Sequence, residues 1–202
     1  MISGGTELEF SGGIRAGSAQ ELKRVLQASP EIKVLRMNSG GGRIYEAIKF
    51  ARLVRESDLD TYTSQYCLSA ATLVFIAGKQ RVVAEGAKLG FHGGTFPGMT
   101  VEQLQASDEM VRQSMVTAGV ARGFIDRALA TPSRDMWYPS VDELRVAGVI
   151  TQVAAVVTKE SDQEVARRMV ANLTEVTEHA ATGEAAKMNR LEMPFSMRLF
   201  QQ

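Results

Sequence analysis

Between Lys33 and Arg55 the chain allows very few folds: a β-branched and apolar run, Lys33 to Asn38, meets a helix through nothing more than Ser39-Gly40-Gly41-Gly42. Ile44, Ala47, Ile48, Ala51 and Val54 recur at helical spacing straight after the glycines, so strand, glycine turn and helix follow one another directly. A strand that feeds a helix this way does not hairpin onto its neighbour. The helix carries the chain over the sheet face, and the next strand then lies parallel.

The unit recurs. Glu7 to Phe10, Thr61 to Cys67, Arg81 to Ala84, Lys88 to Phe91 and Val149 to Val157 are further strand-like runs. Helix starts are marked by Ser or Thr followed three residues later by Glu or Gln: Ser18 with Glu21, Thr100 with Gln103, Ser140 with Glu143 and Ser161 with Glu164. Together these predict an α/β fold with a largely parallel sheet over residues 1–157. Residues 158–202 are expected to be an appendage: a helix from Asp162 to about His179, a break at Gly183, and an alternating run, Leu191, Met193, Phe195, Met197 and Leu199. That run suits an edge strand or an extended segment docked on another surface, including a second subunit.

Composition removes several function classes. With 202 residues, 45% apolar, a single domain with its own core needs no staples. The 23 basic and 23 acidic residues cancel, which leaves no positive field for a nucleic-acid backbone. The one cysteine, Cys67, rules out an internal disulfide, and no Cys/His cluster has metal-ligand spacing, so neither a metal nor another cofactor is expected. The apolar stretch Ala70 to Gly78 falls far short of the roughly 20 residues of a membrane span. The bare start, Met-Ile-Ser-Gly-Gly-Thr, carries no signal sequence, which predicts a cytoplasmic protein, or an exported one whose leader has been removed.

Three segments carry candidate chemistry. The glycines of Asn38-Ser39-Gly40-Gly41-Gly42 let backbone amides turn toward a ligand oxygen, or simply make a tight turn; the missing Gly-Lys-Ser/Thr excludes a P-loop. Ser69, in Cys67-Leu68-Ser69-Ala70-Ala71-Thr72, sits where a buried helix begins, either as an ordinary cap or as a nucleophile with room for a carbonyl above Ala70 and Ala71. His92, one of 2 histidines, stands at a strand end among glycines, the place for a general base or for a hydrogen-bonded structural residue. A carboxylate partner for it is offered by Asp135 in Ser133-Arg134-Asp135, with Asp126, Asp142 and Asp108 as alternatives that spacing does not separate.

Taken in order, Asn38-Ser39-Gly40-Gly41-Gly42, Cys67-Leu68-Ser69-Ala70-Ala71, Gly90-Phe91-His92 and Ser133-Arg134-Asp135 resemble the ClpP/crotonase superfamily, above all the proteolytic subunit of the Clp protease and a group of ClpP-like bacterial proteins that are often exported. The similarity covers about Leu8 to Val157 and implies repeated β-β-α units wound as a spiral. It implies Ser69 as nucleophile, His92 as general base, Asp135 as its orienting carboxylate, and the amides of Gly42 and Ala70 as the oxyanion hole, with Gly41, Gly93 and Gly94 at the substrate. A peptide or protein substrate and a homo-oligomer follow from the same resemblance. Gly40 replaces the family's proline and no axial-loop segment precedes the first strand, so a Clp-type ATPase partner is not expected.

The leading expectation is therefore an ATP-independent serine peptidase. A non-catalytic oligomeric scaffold on the same fold is the alternative. Crotonase-like acyl-thioester chemistry fits less well, because Val82-Val83-Ala84-Glu85-Gly86 lacks that group's Gly-Asp signature. A Cys67-His92 pairing is a further variant, set against Cys67 as a small core residue.

Overall fold

A computed structural model describes residues 6–94 and 98–155 together with the backbone of 196–200. The chain begins with β1 (Thr6–Ser11), α1 (Ser18–Ala28), β2 (Ile32–Asn38) and α2 (Ile44–Glu56), followed by β3 (Asp60–Thr63), β4 (Tyr66–Leu68) and α3 (Ala70–Phe75). It continues through β5 (Arg81–Ala84), β6 (Lys88–Gly90), α4 (Val101–Thr117), α5 (Arg122–Ala130), α6 (Val141–Val146), β7 (Gln152–Ala154) and β8 (Ser196–Phe200). Strand and helix alternate as the glycine turn after β2 requires.

The strands form a six-stranded sheet in the order β7-β5-β3-β2-β1-β8 and a two-stranded sheet of β4 and β6. Every pairing is parallel except that of β1 with β8. Two consecutive strands, β3 then β4 and β5 then β6, each lead into a helix. Of the alternating run near the C-terminus, Ser196–Phe200 is an edge strand, with Glu7 opposite Phe200 and Ser11 opposite Ser196, and the rest lies outside the described residues. The expected helix from Asp162 to His179 and its Ser161 cap lie outside the described residues.

Two expectations are corrected by packing. Thr61 to Cys67 is not one strand: the backbone bends at Ser64 and Gln65, so β3 enters the large sheet and β4 the small one. The α1 helix starts at Ser18 as its sequence predicts, but Ser18 and Glu21 do not form the capping box. Gly17 is the cap residue, and Ser18 Oγ accepts from the Arg15 amide at 2.9 Å. The Glu46 carboxylate of α2 reaches across instead and accepts from the amides of Gly17 and Ala19 at 3.2 and 3.4 Å. The boxes at Thr100 with Gln103 and Ser140 with Glu143 form as expected. Gly119, at φ 81°, ends the long helical stretch after Thr100, whereas Gly123 is accommodated inside α5.

The core lies between the large sheet and its helices. Leu8, Phe10, Leu35 and Met37 from β1 and β2 pack with Phe50 and Val54 of α2 and with the wholly buried α3. Phe10 meets Phe50 edge to face at 5.1 Å. That packing fixes α2 and α3 side by side, and their N-terminal ends carry the two turns singled out by sequence. Among the described residues no helix is long and apolar enough to cross a membrane.

Candidate active site

The turn after β2 is held rather than free. Gly41 and Gly42 have φ of 99° and 144°, values that an L side chain rarely adopts. Space adds a second demand for glycine. A Cβ on Gly41 would stand 2.7 Å from the Leu68 carbonyl oxygen and 2.9 Å from Ser69 Cβ, and one on Gly42 would run into the Ile14 carbonyl oxygen. Ile14 donates its amide to Gly41 O at 2.8 Å and accepts the Arg43 amide at 3.0 Å. Both bonds lie on one side of the turn, so the Gly42 N–H, trans to the Gly41 carbonyl, points away from Ile14.

Ser69 follows β4 directly. Its φ of 53° and ψ of −129° make it one of two non-glycine residues at positive φ among those described, the other being Asp58. A serine stays in such a conformation only when its surroundings hold it there. Its amide donates to the Gly90 carbonyl at 2.8 Å, and its carbonyl accepts from the Thr72 hydroxyl at 2.7 Å and the Thr72 amide at 3.0 Å. The Ser69 hydroxyl does not cap α3, since no side-chain cap bond forms there. The cap explanation for this serine is thereby removed.

His92 comes from the end of β6. Phe91 exchanges both backbone hydrogen bonds with Trp137 at 2.9 Å, and the Gly93 amide donates to Thr131 O at 2.8 Å, so the histidine lies between two fixed points. Its Nδ1 is 2.8 Å from the Gly93 carbonyl oxygen. A carbonyl only accepts, so Nδ1 carries the proton in that bond, and in the neutral ring Nε2 is then the nitrogen with the lone pair. This is the tautomer that a general base needs.

Ser69, Ala70, His92 and Gly94 border one cavity, whose walls are otherwise mostly apolar: Leu73 behind the serine, Val111 and Met115 from α4, Ala128 and Leu129 from α5. It holds about 30 Å³, room for one or two waters. Among the described residues no hydrogen bond joins the Ser69 hydroxyl to His92.

Asp135 lies apart from this group. Its side chain is 59% exposed, its carboxylate is 3.8 Å from Arg134 Nε, and its amide turns back to the Pro132 carbonyl. The next residue, Met136, packs its sulfur close to Gly90 of β6. Of the alternatives, Asp126 pairs with Arg112 and Asp142 with Arg145, both exposed. Asp108 on α4 is half-buried, and burial raises its carboxyl above the ordinary range while Arg112 opposes the rise.

Cys67 is fully buried, and desolvation pushes its thiol up to about 12, with a hydrogen bond from Thr63 pulling the other way. A thiol held protonated in the core is no nucleophile. No group of three or more His, Cys, Asp or Glu side chains among the described residues is placed to hold a metal ion.

Two supporting residues escaped the sequence. Ser39 is buried at the centre of the glycine turn, and Glu46 ties α1 to α2 from the turn's far side. The partners that give them these roles, Gly12 for Ser39 and Gly17 and Ala19 for Glu46, lie more than twenty residues away along the chain.

No protein-family model matches this chain, and no curated protein does. Among solved structures it is similar to ClpP1 from Listeria monocytogenes, with a TM-score of 0.63 at 14% identity, covering 74% of this chain and 91% of that one. A point mutant of the same ClpP1 gives 0.61 at 14% identity over 75% and 92%. The likeness establishes a ClpP-like fold.

Proposed function

We propose that this chain is a serine hydrolase with ClpP-like peptidase chemistry, independent of ATP, acting on peptide or protein substrates as a homo-oligomer. One observation carries the reading: a serine held at positive φ lines a mostly apolar cavity together with a histidine, next to a glycine turn packed close to the serine's own Cβ. Strained, uncapped serines of this kind are found where reactivity has to be held in place.

In this mechanism Ser69 Oγ attacks the substrate's acyl carbon while His92 Nε2 takes its proton. The oxyanion accepts hydrogen bonds from the amides of Gly42 and Ala70, each donor contributing about 3 kcal/mol to transition-state stabilisation. His92 then protonates the leaving amine, and water, deprotonated by the same nitrogen, releases the acyl group from Ser69. Gly41, Gly93 and Gly94 line the path of the substrate backbone. The Gly93 carbonyl holds the Nδ1 proton in this conformation, and Asp135 takes over that role when its loop turns inward, replacing a neutral acceptor with a charged one.

The test is labelling with a fluorophosphonate probe. Wild type is expected to label, Ser69→Ala and His92→Ala not at all, and Asp135→Ala more slowly. A non-catalytic scaffold is the second reading, favoured by the outward Asp135 and the open Ser69-His92 contact; absence of labelling at every protein concentration would establish it.

A further inference from the structure

Ser39 is fully buried, and all of its polar atoms are engaged around the candidate site. Its amide donates to the Tyr66 carbonyl at 3.1 Å and its carbonyl accepts from the Leu68 amide at 2.9 Å, which docks the strand leading to Ser69 on the end of β2. The hydroxyl serves a different pair. Ser39 Oγ donates to the Gly12 carbonyl at 2.6 Å and accepts from the Gly41 amide at 3.2 Å. Gly12 is anchored in turn by its own amide on the Asn38 carbonyl at 3.1 Å, and the loop beyond it delivers Ile14 to the Gly41 carbonyl.

We propose that Ser39 is the positioning residue of the oxyanion turn, fixing the Gly41-Gly42 peptide so that the Gly42 N–H faces the acyl oxygen on Ser69. The inference rests on the serine-hydrolase reading for its catalytic consequence, though not for its structural one. Two consecutive glycines have no side chain to limit their rotation, so the turn keeps its shape through hydrogen bonds at its ends. Ile14 holds one end, through the Gly41 carbonyl and the Arg43 amide, and Ser39 holds the other through the Gly41 amide. A single hydroxyl meets both requirements because it donates and accepts at once. Alanine would leave the buried Gly41 amide without a partner and release the part-buried Gly12 carbonyl, and the turn would relax to satisfy the amide.

The experiment compares Ser39→Ala with Ser39→Cys, which keeps the volume but is a weak donor, and with Val54→Ala, a core truncation distant from the turn. Hydrogen exchange of the peptide spanning 38–44 is measured by mass spectrometry, and fluorophosphonate labelling is resolved into probe affinity and the rate of the bond-forming step. In Ser39→Ala, exchange at Gly41 rises by about tenfold or more, as loss of one hydrogen bond predicts, while α2 stays protected. The bond-forming rate falls by about 10- to 100-fold with affinity unchanged. Ser39→Cys lies between. Unaltered exchange at the turn would overturn the proposal, as would a rate loss that Val54→Ala reproduces. If wild type does not label, the hydrolase reading fails on its own, and exchange alone decides whether Ser39 holds the turn.

Discussion

Gly41 gives a quantitative test of how tightly the glycine turn is fitted to Ser69. Gly41→Ala faces two costs that can be separated by comparison with Gly86→Ala. Gly86 also sits at positive φ, 80° against 99° for Gly41, but a Cβ there meets nothing within 4 Å. The backbone cost of placing an L residue at positive φ is roughly 1–2 kcal/mol and applies to both. Only Gly41 adds contacts of 2.7 Å to the Leu68 oxygen, 2.9 Å to Ser69 Cβ and 3.0 Å to the Ala70 nitrogen. None of these belongs to the tip of a flexible side chain. They are backbone atoms and a Cβ, and relieving them costs about 1–3 kcal/mol more by analogy with overpacked cores.

Urea unfolding should therefore place Gly86→Ala about 1–2 kcal/mol below wild type and Gly41→Ala about 2–5 kcal/mol below. The labelling rate separates them further. A displacement near 1 Å at Ser69 costs on the order of 100-fold in Gly41→Ala, whereas Gly86→Ala labels like wild type. Equal destabilisation of the two variants, or normal labelling of Gly41→Ala, would refute the claim that the turn packs on the serine.

Ser69→Gly removes the hydroxyl and the backbone strain together. Relief of roughly 1–3 kcal/mol exceeds the 0.5–1 kcal/mol entropic cost of glycine, so the variant is expected to unfold at equal or higher urea than wild type while losing all labelling. Cys67 should resist iodoacetamide in the folded protein at pH 8 and react only on unfolding, which mass spectrometry would detect. Because burial raises its folded thiol to about 12, above its unfolded value near 8.5, the native state binds more protons between these limits and stability falls as pH rises through that window. The slope is on the order of 1 kcal/mol per pH unit. Cys67→Ala should flatten this alkaline slope, and an unchanged slope would assign it to other groups.

Much of this molecule is legible in short stretches of sequence because the interactions responsible are short-ranged. The glycines after Asn38 force a direct strand-to-helix turn, the helical spacing from Ile44 to Val54 specifies which face of α2 is buried, and the caps at Thr100 and Ser140 satisfy amides within their own first turns. The same local logic put Ser69 before a helix and His92 at a strand end. Whether Ser69 was a cap or a poised hydroxyl was not local, because its φ is set by bonds from Gly90 and Thr72 and by contact with Gly41. The division of Thr61 to Cys67 between two sheets likewise depends on which strands stand ready to pair on either side of the bend at Ser64.

The carboxylate shows the limit most clearly. Asp135, Asp126, Asp142 and Asp108 are equivalent in one dimension, and only the folded chain leaves Asp135 exposed beside Arg134 while the Gly93 carbonyl meets His92. Ser39 and Glu46 carry no periodicity or cap signature that points to Gly12 or to Gly17 and Ala19, partners the fold brings from elsewhere in the chain. Sequence alone therefore determined the elements and the residue types at their ends, where a few neighbouring bonds decide. Tertiary structure decided which of those ends meet, because burial and hydrogen-bond geometry depend on distances that no spacing along the chain encodes.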